Sequence, residues 1–393
     1  MKRKKDVSHN NSEAVTKQKE SLFINGKMDI SFFALVTVLL TAGLLMLFSS
    51  SYAYALAYMG NSYHFIIKQV IFAVLGYALM LVISKINYKV YRKFAWFVYI
   101  ISAIMLIALL VLPPMVPGAT QKRWMVLGPI SFQPSEIAKF SIILLFSHLI
   151  AANYKQMKTF KFGVFTLGML LVFVCGLVVV ETHLSATILI FSIGICLMIV
   201  GGMRGIYILG GVGLGAAGAG VLVASGVVGY ASDRITYWLN PWADAAGKGY
   251  QTIQSLLAIG SGGVLGRGYG LSRQKYLWVP EPHNDFIFAI VCEELGIVGA
   301  MIIILLFCAL VWRGFIIAMH APDKFGALMA VGLTFQVGLQ AVLNILVVTN
   351  TVPNTGISLP FFSYGGTALV LLLMQMGIVL SISRASRVDK FKN

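Results

Sequence analysis

The sequence predicts an all-α polytopic membrane protein with about ten transmembrane helices, and three observations support this fold class. Of the 393 residues, 58% are hydrophobic and only 11% are charged, with a mean hydropathy of +0.85. A soluble core does not need so much apolar sequence, whereas a polytopic membrane protein does. The apolar runs repeatedly reach about 20 residues, the length that spans a bilayer as a helix. Lysine and arginine concentrate in alternate connecting segments, as expected for a chain that crosses a membrane many times.

The individual spans follow from the apolar runs. We place them near residues 29–51, 65–84, 94–113, 136–153, 164–181, 184–203, 206–227, 285–312, 325–348 and 363–383. An even number of spans leaves both termini on one side, and most of the 30 lysines and arginines lie in the segments on that side. The positive-inside rule therefore predicts a multi-pass protein of the cell membrane with both termini cytoplasmic.

Three segments lie outside the predicted spans. Residues 1–28 form a basic tail that we expect to be disordered and cytoplasmic, and residues 386–393 form a second cytoplasmic tail. Between them, the ten-span domain (29–385) carries a large extracytoplasmic loop, 228–284, between spans 7 and 8. The net charge of +16 lies mainly in the inside segments, which favours contact with an anionic membrane surface and no binding of nucleic acid.

Two glycine-rich stretches resemble nucleotide-binding motifs only superficially. Residues 213–218 match GxGxxG, but they lie inside an apolar helix and follow no strand, so close helix packing is the better interpretation. The stretch AIGSGGVLGRGYG (258–270) lacks a P-loop signature, and we interpret it as a turn-rich loop whose free N–H groups could contact a phosphate. All four cysteines lie in apolar runs without metal or disulfide spacing, so the sequence predicts buried small side chains and no metal site.

Charged residues inside the spans need an explanation, because each one costs roughly 2.5–3.5 kcal/mol at mid-bilayer. Glu136 and Lys139 are neighbours on one helix face, where they form either a mutual ion pair or a pair directed into a polar cavity. Lys68 belongs to the same cavity or lies near a helix end. Glu293 and Glu294 lie about 12 Å deeper than Asp285, so we expect them to bind neighbouring helices and not a reactant.

Asp285 differs from these residues because it stands where the outer loop enters a spanning helix, in the stretch WVPEPHNDFIFAIVCEELG (278–296). A carboxylate is favoured in a first helical turn, so simple capping by Asn284 or Asp285 is one interpretation. Catalysis is the other, since the loop brings cations to the same face: Arg234, Lys248, Arg267, Arg273 and Lys275. One acid among cations at a membrane surface suits a lipid-linked diphosphate and a hydroxyl nucleophile.

The same stretch resembles the signature of the SEDS family (shape, elongation, division and sporulation), which includes the FtsW, RodA and SpoVE cell-wall polymerases. Three further blocks agree: KRWMVLGPISFQPSEIAKF (122–140), LNPWADAAGKGYQTIQSLLAIGSGGVLGRGYGLSRQKY (239–276) and NTGISLPFFSYGG (354–366). The resemblance covers about residues 29–385. The SRQK tetrapeptide (272–275) and NPW (240–242) are more similar to the FtsW and sporulation branch than to RodA.

The resemblance implies a peptidoglycan glycosyltransferase of the bacterial plasma membrane that polymerises lipid II. Asp285 matches the essential aspartate, expected to deprotonate the acceptor's 4-hydroxyl in an inverting reaction that releases undecaprenyl diphosphate. Further residues expected to bind substrate are Lys68, Arg123, Glu136, Lys139, Arg273, Lys275, His283 and Ser363. Of these, Arg123, and more loosely Arg273 and Lys275, are expected to bind the phosphates. No cofactor is certain, although a divalent cation (Mg or Mn) could assist. The implied partner is a class B penicillin-binding protein.

The chain also departs from the family pattern. Many relatives carry a QPD-type stretch where this chain has VETHLSAT (180–187), so the roles of Glu181 and His183 stay open. Asn284 replaces a common threonine. Two alternative functions remain: a lipid II transporter using Lys68, Glu136, Lys139 and Glu294, and a non-catalytic scaffold for a transpeptidase. The sequence leaves open the choice among division, elongation and sporulation, the stem peptide, the partner surface and metal dependence.

Overall fold

The computed structural model describes residues 22–24, 26–113, 123–128, 130–207, 210, 211, 213 and 229–386. Within them, the chain forms a bundle of apolar helices. The long helices are α1 (Ile30–Met59), α2 (His64–Ile83), α3 (Ala95–Val111), α4 (Pro134–Ala152), α5 (Leu167–Val180, preceded by a π-helical stretch Phe160–Thr166) and α6 (Leu184–Val200). They continue with α7 (Gly229–Leu239), α8 (Tyr250–Gly262), α9 (Ile287–Met319), α10 (Lys324–Val348) and α11 (Gly366–Ala385).

Short elements connect these helices. They are a single helical turn (Lys89–Arg92), the 3-10 helices Tyr154–Lys158 and Pro241–Asp244, and a small antiparallel hairpin of β1 (Met125–Leu127) and β2 (Ile130–Phe132). In the hairpin, Met125 pairs with Phe132 and Leu127 with Ile130. This hairpin just before α4 is the one sheet in the described residues.

The predicted membrane fold class is confirmed. Seven of the described helices are long and apolar enough to cross a membrane, and the shorter apolar helices α3 and α6 coincide with two more predicted spans. The predicted seventh span, 206–227, falls largely outside the described residues, as does most of the tail 1–28. Helices suit this environment because they satisfy their backbone polar groups internally.

Two helices are longer than their predicted spans. Helix α1 continues to Met59, beyond the predicted end at residue 51, and α9 continues to Met319. Ser49, Ser50 and Ser51, at the predicted end of the first span, are buried against the rest of the protein. The helix ends instead at Gly60, which adopts the left-handed conformation that terminates many helices.

The bundle has two distinct ends. At one end the described termini meet: Asp29 pairs with Arg313 at 2.7 Å, and the Arg384 guanidinium donates to the Gly26 carbonyl at 2.8 Å. Asp29 also caps α1 by accepting a hydrogen bond from the Phe32 N–H. Helix α9 ends here, since Arg313 belongs to its last turns. Asp285, just before its start, therefore lies at the end of the bundle opposite the termini.

The segment predicted as a large extracytoplasmic loop contains the helices α7 and α8, and its part after α8 packs against α9. Helix α8 contains part of the stretch interpreted as a turn-rich loop. After it, Gly263 and Val264 accept hydrogen bonds from Ile297 and Val298, while the N–H groups of Arg267 and Gly268 donate to the Glu293 and Glu294 carbonyls. The expectation that this stretch offers free N–H groups to a phosphate is therefore wrong for Arg267 and Gly268, because carbonyl groups of α9 accept their hydrogen bonds.

Candidate functional site

The turn that carries Asp285 is fixed through its main chain. Three consecutive carbonyl oxygens, those of residues 283, 284 and 285, each accept a hydrogen bond from another segment. The donors are, in order, Tyr364 N (2.9 Å), Ser363 Oγ (2.8 Å) and Asn344 Nδ2 (2.8 Å). Helix α10 and the segment before α11 therefore hold the entrance of α9 in place.

The Asp285 carboxyl group is half-buried just before α9 begins. A Cβ atom added at Gly356, whose φ is +72°, would lie 3.2 Å from Asp285 Oδ2, so the carboxyl group faces this glycine. Burial, together with the negative charge of Glu281, raises the pKa of Asp285 to about 6, while Arg123 and Arg234 act in the opposite direction. The carboxyl group thus lies within electrostatic range of two guanidinium groups.

These two arginines come from different parts of the chain. Arg234 lies on α7 and donates to the Asn354 carbonyl oxygen. Arg123 precedes the hairpin and donates to the Thr182 carbonyl oxygen in the turn between α5 and α6. The sequence singled out Arg123 for phosphate binding but treated Arg234 only as one cation of the outer loop. Nothing in the sequence distinguished Arg234 from the other four loop cations.

Glu136 and Lys139 form the predicted ion pair, with Lys139 Nζ 2.7 Å from Glu136 Oε1. The Lys139 side chain is buried, and its amino group also contacts Gln340 Oε1 at 3.4 Å. Glu136 is partly exposed and lines a cleft together with Gln340, Ser358 and Ser363. The two interpretations of this pair are therefore compatible, because the ion pair forms and its acid borders a cleft that polar side chains line in part.

Glu181 and His183 are buried in the turn between α5 and α6. Burial raises the pKa of Glu181 to about 8, against the opposing charge of Arg123. Burial also lowers the pKa of His183 to about 3, and the charges of Arg123 and Lys139 lower it further. Both groups are therefore predominantly uncharged near pH 7, and they lie within range of the arginine that acts on Asp285.

His283 and Ser363 lie beside Asp285 but are engaged within the protein. The His283 ring packs between Phe65 and Tyr54, with ring centroids 4.2 and 4.9 Å away, and burial lowers its pKa to about 4. The Ser363 hydroxyl donates its proton to the Asn284 carbonyl and accepts a bond from the Leu359 N–H at 2.7 Å. A serine has a single donor, so Ser363 holds the turn and does not donate to a substrate in this structure.

Three predicted cations lie elsewhere. The buried Lys275 amino group contacts Glu294 Oε1 (2.9 Å), Ser49 Oγ (3.0 Å) and the Gly270 carbonyl (2.6 Å). These contacts use the three donors of an ammonium group, which corrects the expectation that Lys275 binds a phosphate. Arg273 is exposed, with its N–H donating to Glu293 Oε1. Lys68 is exposed on α2 beside His64.

Glu293 and Glu294 account for the positions of Arg273 and Lys275. Both side chains are fully buried, and together they accept bonds from the main-chain N–H groups of residues 272, 273 and 274. The expectation that they bind neighbouring segments of the protein agrees with these contacts. Among the described residues, no group of three or more His, Cys, Asp or Glu side chains is placed to hold a metal ion.

Comparison with known proteins agrees with this architecture. A family model described as "Cell cycle protein" (FTSW_RODA_SPOVE) matches residues 29–388. The chain is 38% identical to stage V sporulation protein E of Bacillus subtilis over 367 residues, which cover 91% of this chain and 98% of that protein. It is 35% identical to a probable peptidoglycan glycosyltransferase FtsW of Geobacter metallireducens over 359 residues, with coverage of 91% and 95%.

Solved structures show the same fold. One chain from a structure of a peptidoglycan synthase complex, concerned with the coordination of polymerization and crosslinking, matches with a TM-score of 0.76 and 27% identity. The match covers 92% of this chain and 99% of that one. The rod shape determining protein RodA of Thermus thermophilus matches with a TM-score of 0.67 at 24% identity, which supports the fold alone.

Proposed function

Because the chain belongs to the FtsW, RodA and SpoVE family, we propose that it is a peptidoglycan glycosyltransferase that polymerises lipid II at the outer face of the bacterial cell membrane. The observation that carries this proposal is the setting of Asp285. Its carboxyl group stands at a helix entrance, faces a glycine and lies within range of Arg123 and Arg234. An acid with two nearby cations suits a reaction between a hydroxyl group and a lipid-linked diphosphate.

In the proposed reaction, ionised Asp285 accepts the proton of the 4-hydroxyl group on the acceptor's N-acetylglucosamine. The oxygen attacks the anomeric carbon of the donor's N-acetylmuramic acid, the bond from this carbon to the diphosphate oxygen breaks, and the anomeric configuration inverts. With a pKa of about 6, the carboxyl group is mostly ionised at pH 7 and is a stronger base than an ordinary aspartate.

Arg123 and Arg234 supply the positive charge that the leaving group requires. Negative charge accumulates on the undecaprenyl diphosphate as the glycosidic bond breaks, and guanidinium groups stabilise phosphate oxygens through planar, charge-assisted hydrogen bonds. The two arginines are held on separate segments, by the Asn354 and Thr182 carbonyl oxygens. A diphosphate between them would lie close to the carboxyl group on which both charges act.

The position of the site suits a substrate whose tail stays in the bilayer. Asp285 lies at the end of the bundle opposite the termini, which the charge distribution predicts to be the extracytoplasmic end. The sugars can then react at the surface while the polyprenyl chain remains among the helices. We further propose a class B penicillin-binding protein as partner, supported by the similarity to a chain of a peptidoglycan synthase complex.

The decisive experiment measures glycan strands formed from lipid II by the purified chain with its transpeptidase partner. Asp285→Asn keeps the size of the side chain but removes the base, so we expect a loss of about 10²–10⁴-fold in rate. Asp244→Asn is the matched control. Asp244 lies on the same outer segment, and its carboxylate accepts a hydrogen bond from the main-chain N–H of Lys248.

Normal strand synthesis by Asp285→Asn would refute the assignment of the base. Wild-type protein that moves lipid II across vesicle membranes without polymerising it would instead support the transporter alternative. The transporter alternative requires intramembrane charges along a polar path. Lys139 instead pairs with Glu136, and Glu294 pairs with Lys275, inside the protein, which favours the polymerase.

A further inference from the structure

We infer that Asn344 is a positioning residue for the reaction: its carboxamide fixes the main chain of Asp285 against the segment that holds Arg234. The inference rests on the proposed function, in which Asp285 is the base. Asn344 lies on α10, is fully buried, and was not among the residues that the sequence singled out.

The Asn344 amide group joins two segments that are distant in sequence. Its Nδ2 donates to the Asp285 carbonyl oxygen at 2.8 Å and to the Ile357 carbonyl oxygen at 2.6 Å. An NH₂ group has two protons, so each carbonyl receives one. The opposite orientation of the amide would place its oxygen against two carbonyl oxygens, so the network itself determines which atom is the nitrogen.

The second segment carries the groups that face the base. Gly356, next to Ile357, lies against the Asp285 carboxyl group, and its N–H donates to Asn354 Oδ1 at 3.1 Å. The Asn354 carbonyl in turn accepts the hydrogen bond from Arg234. By binding Asp285 and Ile357 at once, Asn344 sets the spacing between the base and the loop that positions this cation.

The neighbouring hydrogen bonds distinguish Asn344 from a general packing residue. One helical turn away, Gln340 donates to the Ser358 carbonyl and hydroxyl oxygens at 3.1 and 3.2 Å, so α10 presents two carboxamides to the same segment. Ser363 binds the carbonyl of residue 284. Asn344 binds the main chain of Asp285 itself.

The test is steady-state kinetics of lipid II polymerisation by the full chain with its partner. Asn344→Leu keeps the approximate volume of the side chain but removes both N–H donors. Asn344→Ser keeps one donor on a shorter side chain. A displacement of a reacting group by about 1 Å can cost about 10²-fold in rate. We therefore expect kcat to fall about 10- to 100-fold in Asn344→Leu and less in Asn344→Ser, while KM stays within about twofold.

Gln336→Leu is the matched control, because Gln336 is also a buried carboxamide on α10 but bonds to Gln375 and not to the Asp285 turn. We expect the acid limb of the kcat–pH profile to shift in the Asn344 variants and not in this control. Unchanged kcat in folded Asn344→Leu would overturn the inference. The inference would also be overturned if the activity of the Asn344 variants fell only in proportion to the loss of folded protein while the acid limb stayed in place.

Amide hydrogen exchange provides a readout that does not depend on activity. Asn344→Leu or Asn344→Ser should speed exchange at residues 283–289 and 356–364, and Gln336→Leu should not. If the wild type proves inactive on lipid II, the proposed function fails, and exchange alone then decides whether Asn344 fixes this turn. Equal exchange rates in the wild type and both Asn344 variants would contradict the inference even if activity fell.

Discussion

Asp285 illustrates how the setting of one residue adjusts its chemistry. Removal from water and the nearby Glu281 favour the protonated acid, whereas Arg123 and Arg234 favour the carboxylate. The result is a pKa of about 6, higher than that of a free aspartate yet low enough for the group to be mostly ionised at pH 7. This range is the one in which a carboxylate serves best as a general base at neutral pH.

We predict that polymerisation depends on pH through this group. Because Asp285, as the proposed base, must be ionised, the rate should rise through about pH 6 and level off above it. Glu281→Gln removes a negative charge that raises the pKa of Asp285, so the acid limb should move to lower pH. The measurement is the pH–rate profile at saturating lipid II, with Asp244→Asn as a control that leaves the limb in place. An acid limb that moves to higher pH in Glu281→Gln would contradict this electrostatic account.

Single residues also show which parts of the site the sequence could predict. Asp285 was proposed because a carboxylate at the entrance of a spanning helix is unusual, and the ion pair of Glu136 with Lys139 could be predicted from helix periodicity. Lys275 could not be assigned correctly, since a basic residue in an outer loop gives no sign that Glu294 and Ser49 receive it. Ser363 was also expected to bind substrate. Local sequence does not reveal that its hydroxyl group donates to the distant Asn284 carbonyl.

Helix α9 is the element whose irregularity matters most. The sequence predicts a continuous spanning helix, but Gly296 has a φ of +68° and a ψ of −169°, which breaks the helix within its first third. The break opens backbone groups to the segment after α8, and the N–H groups of Ile297 and Val298 donate to it. A helix break within a membrane is tolerated where neighbouring protein takes up the freed polar groups, as it does here.

We predict that Gly296→Ala destabilises the protein. The Cβ atom would lie 2.3 Å from Gly266 N and 2.4 Å from the Val264 carbonyl oxygen, both rigid backbone atoms, and alanine disfavours a positive φ. A cost of about 1–3 kcal/mol or more should appear as a lower unfolding temperature in detergent. Gly260→Ala on α8 is the control, because its Cβ would meet nothing within 4 Å. Equal unfolding temperatures for the two variants would show that the break does not require glycine.

At the scale of the whole molecule, the bundle separates the end where the described termini meet from the end that carries the proposed site. Asp29, Arg313 and Ser383 join the described termini at one end, where Arg313 pairs with Asp29 and the Asp29 N–H donates to Ser383 Oγ. The polar groups around Asp285 gather at the other end. Buried charges are paired with a partner of opposite sign, as Lys139 is with Glu136 and Glu294 with Lys275, which reduces the cost of burying charge.

We predict that these ends face opposite sides of the membrane. A cysteine introduced by Lys248→Cys, on the outer segment, should react with a membrane-impermeant maleimide in intact cells. Lys155→Cys, in the turn after α4, should react only after permeabilisation, because the positive-inside rule places that turn in the cytosol. The reverse labelling pattern would put Asp285 at the cytosolic face and would refute extracytoplasmic polymerisation.

By itself the sequence determined the membrane class and most of the helices, and it singled out Asp285 as the candidate base. These features depend on local properties: the length of apolar runs, the period of the helix and the rarity of charge in hydrocarbon. Tertiary structure decided which groups surround the carboxyl group. Arg123, Arg234 and Asn344 reach the turn at residue 285 from segments far along the chain, whereas Lys275, only ten residues away, points into the interior. Electrostatic and hydrogen-bond partners are set by distance in space, and a sequence records only distance along the chain.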